Sequence, residues 1–229
     1  MSEIDVDGAL NRYSSVRDAM KPGDVIAFCG KGMVSGWISN VTKSNVSHVG
    51  VILQTKVLDD DTGRHFNQII ESTKIDDFSG VNISRFSDRV RYYDGEIWWL
   101  PMRPEIQQDQ NRFNQKAFYD FLFDQAEARK RFDVWSARFA AERGEDGPVS
   151  EEDDWFYNDE DFSKFFCSEL VAAGLEVAGT TGCPINASEV TPIDLCRWDI
   201  YEDHYFQIKG DETKKISRYN SQSPEGWAG

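Results

Sequence analysis

Histidine and cysteine are scarce in this 229-residue chain: three histidines (His48, His65, His204) and four cysteines (Cys29, Cys167, Cys183, Cys196). No two cysteines form a CxxC pair and no Cys/His spacing suits zinc, so neither a metal nor another cofactor is expected. Four cysteines are too few to staple a chain of this length, and free thiols are the expectation. No apolar run approaches the ~20 residues that cross a bilayer, so no integral membrane segment is expected. The N-terminal MSEIDVDGALNRY is acidic and lacks the apolar stretch of a secretory signal, which points to the cytoplasm, with delivery by another route left open. Positive charge is also in short supply. Lys+Arg number 25 against 40 Asp+Glu, a net charge of −15. Such a surface repels phosphate backbones and anionic headgroups, which argues against nucleic acid or a membrane surface as partner.

What is present reads as one soluble α+β domain, with 40% hydrophobic and 28% charged residues. Val6, Leu10, Tyr13, Val16 and Met20 recur at helical spacing until Pro22-Gly23 ends the run. Residues 24–30 (DVIAFCG) and 46–58 (VSHVGVILQTKVL) read as strands, and residues 31–42 as a helix. DDDTG at 59–63 is a turn, 66–75 the strand that pairs back, 81–93 ambiguous, and 96–102 (EIWWLPM) a further strand. The pattern turns helical from Ile106 to about Ala140. Residues 142–161 hold ten acids against the single Arg143 and read as an acidic insert loop within the domain. Residues 165–178 (FFCSELVAAGLEVA) begin as strand or loop and continue as an apolar helix closed by Gly179. Residues 204–209 (HYFQIK) alternate like a last strand. The expected domain is 1–210, with 211–229 a loose polar tail.

Three residues stand out for chemistry. Cys167 is expected at the start of its helix, where unpaired N–H groups and the helix dipole favour a thiolate and its own N–H can face an oxyanion. A small apolar packing residue is the plainer reading of the same position. His48 lies on a strand, sharing a face with Gly50 and Ile52, and Gly50 leaves space beside the ring. A hydrogen-bonded core histidine is the plainer alternative. Glu71 ends the apolar run QIIE on the strand expected to pair with that of His48, where a carboxylate can fix the imidazole tautomer. An exposed edge glutamate is its ordinary alternative. Together the three fit a Cys–His–acid arrangement for nucleophilic acyl transfer, in the chain order His48, Glu71, Cys167. His65 reads as solvated, His204 as structural, and Cys29, Cys183 and Cys196 as packing residues. Trp155-Phe156-Tyr157 within the acidic insert raises the idea of a lid favouring cationic substrates.

PGDVIAF (22–28) followed by SHVGVIL (47–53) resembles the paired GDL and HVG strands of NlpC-type, papain-like cysteine peptidases. FCSELVAAGLEVAG (166–179) resembles their nucleophile helix. In the ordinary family the cysteine helix comes first; here it follows the histidine strand, an order similar to the circularly permuted, YiiX-like branch. The acid in IIES, RFDVWS at 131–136 and SEVTPIDL at 188–195 look like that group too. The NCEHF-type motif of the retinol acyltransferases is absent, which argues against a lipid acyltransferase. The resemblance implies a permuted papain-like fold, an antiparallel sheet or small barrel carrying His48 packed against the helix carrying Cys167. It implies a thiol hydrolase with Cys167 as nucleophile, His48 as base and Glu71 as third residue, cleaving an amide bond in a small peptide-like or acylated substrate. An acyltransferase or ester hydrolase, and a binding protein that keeps the fold without turnover, are the alternatives.

Overall fold

A computed structural model describes residues 6–30, 46–75, 78–128, 159–210 and 214–228. The expected helix at 31–42, RFDVWS, residues beyond 128 of the long helical stretch, and 142–158 of the acidic insert with its aromatic trio lie outside the described residues.

The protein is α+β, and its described residues form six strands: β1 (Val25–Gly30), β2 (His48–Leu58), β3 (His65–Ile75), β4 (Phe78–Arg85), β5 (Gly95–Leu100) and β6 (Phe206–Lys209). They form one antiparallel sheet in the order β4-β3-β2-β1-β5-β6. The described helices are α1 (Val6–Val16), α2 (Phe86–Tyr92), α3 (Pro104–Gln107), α4 (Gln115–Glu127), α5 (Asp159–Val177) and α6 (Pro192–Arg197).

Successive strand residues point to opposite faces, so continuous apolar strands demand a cover on both sides. Val25, Ala27, Val49, Val51, Leu53, Ile70, Trp98 and Leu100 join one core with Phe118 and Leu122 of α4, Leu170, Val171 and Leu175 of α5, and Leu195 of α6. Ile26, Phe28, Ile52, Ile69, Ile97 and Trp99 join a second core with Ala9 and Tyr13 of α1 and Phe86 and Val90 of α2. The Trp98-Trp99 pair is thus split, one indole buried on each face. At roughly 1.5–3 kcal/mol per fully buried large apolar side chain, the double layer explains why the central strands carry almost no polar residue.

Three expectations change. The ambiguous stretch at 81–93 divides into β4 and α2, because Phe86 and Val90 stand four apart and both reach the second core. The expected tail returns to the body: Ile216 is buried, Gln222 bridges to Trp198, and Ala228 bridges to Ile185. A polar composition hid a few anchoring side chains there, Ile216, Tyr219 and Trp227, which pack on the first core. Finally, α5 begins at Asp159, so Cys167 is its ninth residue and lies within the helix instead of opening it.

Candidate active site

His48 is the first residue of β2, and its neighbour across the ladder is Phe28, whose ring centroid lies 5.3 Å away. The β2–β3 register pairs Val51 with Ile70, which sets Glu71 opposite Gly50 on the face that carries His48. His48 Nε2 therefore meets Glu71 Oε2 at 2.7 Å, with the carboxylate wholly buried and the imidazole 12% exposed. Cys167 comes from the other direction, on a helix whose apolar face belongs to the first core. Its thiol, also 0% exposed, hydrogen-bonds the same imidazole. With Nε2 occupied by Glu71, Nδ1 is the nitrogen left for the thiol. The end of the sheet is what lets one ring touch both sides.

The helix-start argument for Cys167 does not survive. Two turns inside α5, its N–H belongs to the helix ladder and the dipole effect of the first turn has faded, so neither favours a thiolate nor supplies an oxyanion donor. The group that meets the thiol is His48 instead. The space expected beside the ring is also filled: a Cβ on Gly50 would stand 2.9 Å from Ile69 Cδ1 and 3.1 Å from the Ile70 carbonyl oxygen. Gly50 lets β3 approach closely and so brings Glu71 within reach.

Sequence reasoning missed Arg89. It lies on α2, 16% exposed, with Nε 2.5 Å from Glu71 Oε1 and Nη2 donating to Oε2 at 3.1 Å. The first approach is a charge contact, the second a directed hydrogen bond. The guanidinium also lies 5.5 Å over the Phe28 ring and 5.4 Å over that of Tyr93. The helical spacing of Phe86 and Val90 was a readable signal for α2, but nothing in the sequence joins position 89 to position 71.

The electrostatics follow from this chain of contacts. Burial by itself lowers the affinity of His48 for a proton; the charge and hydrogen bond of Cys167, then the contact with Glu71, outweigh it and push the imidazole up from 6.5 to about 9. Burial favours the neutral acid at Glu71, yet the bond from His48 and the charge of Arg89 hold it below its ordinary 4.5. Elsewhere, the Cys29 thiol is pushed up to about 11 by burial and by Glu96, and burial drives Cys196 higher still. His204 and His65 are exposed on the surface, away from this cluster.

Among the described residues no group of three His, Cys, Asp or Glu side chains is placed to hold a metal ion, and no helix is long and apolar enough to cross a membrane. No protein-family model matches the sequence, and no curated protein matches it.

Proposed function

We propose that the protein is a cysteine hydrolase of permuted papain-like fold that cleaves amide bonds through an acyl-enzyme formed on Cys167. The observation that carries this reading is one imidazole hydrogen-bonded to a buried carboxylate on one side and to a buried thiol on the other. Such a base, oriented by a third group and set against a nucleophile, is the shared logic of covalent acyl transfer. The order of β2, β3 and α5 along the chain also suits a permuted papain-like fold, in which the nucleophile helix comes last.

In this mechanism Nδ1 of His48 takes the thiol proton, leaving a thiolate beside an imidazolium that Glu71 stabilises through Nε2–H. The sulfur attacks the carbonyl carbon, a C–S bond forms, and the carbonyl electron pair moves to oxygen. Collapse breaks the C–N bond, and the Nδ1 proton passes to the leaving amine. A water then gives its proton to neutral His48 as its oxygen attacks the thioester. Breakage of the C–S bond releases the acid and restores the thiolate–imidazolium pair.

One observation favours a second reading. The Cys167 sulfur is wholly buried, as a packing residue of a binding protein would be. Mass spectrometry after exposure to small activated ester and amide probes separates the two. A stoichiometric acyl adduct in the parent, mapped to Cys167 and absent from Cys167→Ala, supports the hydrolase. A parent that stays unmodified while Cys167 reacts with alkylating reagents no faster than Cys29 sinks it in favour of binding. Transient adducts with amides as well as esters favour the amidase, and adducts with esters alone favour the ester-cleaving alternative.

A further inference from the structure

We infer that Arg89 is a positioning residue of this site: by holding both oxygens of buried Glu71 it keeps that side chain anionic and aimed at Nε2 of His48, so that Nδ1 is presented to the Cys167 thiol. The role assigned to Arg89 in catalysis rests on the hydrolase reading; the effect on Glu71 does not.

The argument begins with burial. A carboxylate at 0% exposure is a costly group unless it is paired and hydrogen-bonded. His48 alone is a poor guarantor, since Glu71 and His48 can share one proton as a neutral pair. An acid bonded to an imidazole by a single contact is then free to rotate about its terminal torsion. Arg89 changes both conditions. Its guanidinium donates to Oε2 through Nη2 and sets its charge against Oε1, so the carboxylate is held by a second hydrogen bond besides that of His48. Its charge favours the ion-pair form over the neutral one.

Among the described residues, the groups around the pair are few. The titratable and charged groups seen to act on the pair are Cys167 from α5, Arg89 from α2 and Tyr93 just after α2, with Cys29 of β1 behind Tyr93. Arg89 is the cation among those named. Phe28 and Tyr93 wall it in, which restricts where the guanidinium can go. Lys209 clamps the helix that carries it.

The sign of the effect is specific. Removing Arg89 makes Glu71 easier to protonate, so the acid limb of the Glu71–His48 pair moves to higher pH. The alkaline limb does not fall with it, because a cation near the imidazolium has been removed as well. A general loosening of the fold would bring both limbs toward their ordinary values.

The test is carbon NMR of the Glu71 side-chain carboxyl, assigned by its loss in Glu71→Gln, together with the pH profile of Cys167 alkylation by iodoacetamide. In the parent the carboxyl is expected to titrate below the ordinary 4.5. In Arg89→Gln its midpoint is expected to rise by about one unit or more, and the acid limb of alkylation to rise with it. Arg89→Lys, which keeps the charge but loses the planar guanidinium that spans both oxygens, is expected to fall between the two. If Arg89→Gln does not fold, the partial rise in Arg89→Lys decides the matter. An unchanged midpoint in whichever of these variants folds overturns the proposal. A parent that alkylates normally but forms no acyl adduct refutes the hydrolase reading and leaves the carboxyl titration to judge Arg89 separately.

Discussion

The Lys209 ammonium donates to the carbonyl of Tyr93 at 2.6 Å, joining the last strand to the end of a helix 116 positions earlier. The same Nζ donates to Val90 at 2.8 Å and Arg91 at 3.2 Å, so one buried cation closes the C-terminus of α2. Such a charge satisfies orphan carbonyls and complements the negative end of the helix. Lys209→Met keeps the apolar stem and removes the donors. It is expected to lower stability by about 2–4 kcal/mol in denaturant titrations, as those carbonyls lose their partner. Amide exchange should quicken at Tyr93 more than in β2.

His48 makes stability depend on alkaline pH. Its folded value of about 9 lies above the ordinary 6.5, so its contribution is fully present below the lower figure and is lost as pH rises through the higher one. The span corresponds to a contribution on the order of 3 kcal/mol. Urea midpoints for parent and His48→Ala should converge between pH 7 and 10. A constant difference across that window would refute the shifted imidazole.

Asp24 carries the opposite sign for a carboxylate. Burial pushes it from 3.8 to about 7, despite hydrogen bonds from Met102 and Lys21 backbone N–H groups and from Trp99. A raised acid contributes stability below 3.8 that drains away as pH climbs through about 7. Asp24→Asn turns one accepting oxygen into a donor, where Oδ2 takes both the Lys21 N–H and the Trp99 indole. A loss of about 1–3 kcal/mol per broken bond is expected at pH 5. Thermal melts should show this deficit shrinking as pH rises from 5 to about 7 and levelling off beyond it.

Gly50→Ala tests the approach of β3 to β2. The added methyl would press on Ile69 and on the Ile70 carbonyl. A cost of about 1–3 kcal/mol is expected from overpacking. Because Glu71 follows Ile70, the His48 titration should move toward 6.5 in the same variant. A destabilised protein with an unmoved His48 would show that the two strands adjust elsewhere.

Ser168 anchors the segment next to the candidate nucleophile, its Oγ donating to the Val190 carbonyl at 2.6 Å in a buried setting. Ser168→Ala is expected to cost about 1–2 kcal/mol of stability by chemical denaturation. It should slow Cys167 acylation by less than Glu71→Gln does, since its hydroxyl is committed to the Val190 carbonyl.

Much of the architecture was legible along the chain because periodicity is a local property. Alternation in SHVGVIL and the apolar runs around Ile26, Ile69 and Trp98 identify strands, and the spacing of Leu170, Val171 and Leu175 identifies a helix. His48, Glu71 and Cys167 could be singled out because each is a polar or reactive group set in apolar surroundings, which demands a partner. Their meeting was not written in any one segment. It arises from the β2–β3 register, from the helix packed on the far face and from the ring standing at the sheet's end, all set by contacts between residues distant in sequence. The helix start was set too late: Phe162, Phe165 and Phe166 already stand at helical spacing, but the acidic run that precedes them was read as loop. Arg89 was invisible for a similar reason. A surface-type arginine becomes a partner of Glu71 only when α2 folds over the sheet, and long-range charge pairing has no period to read.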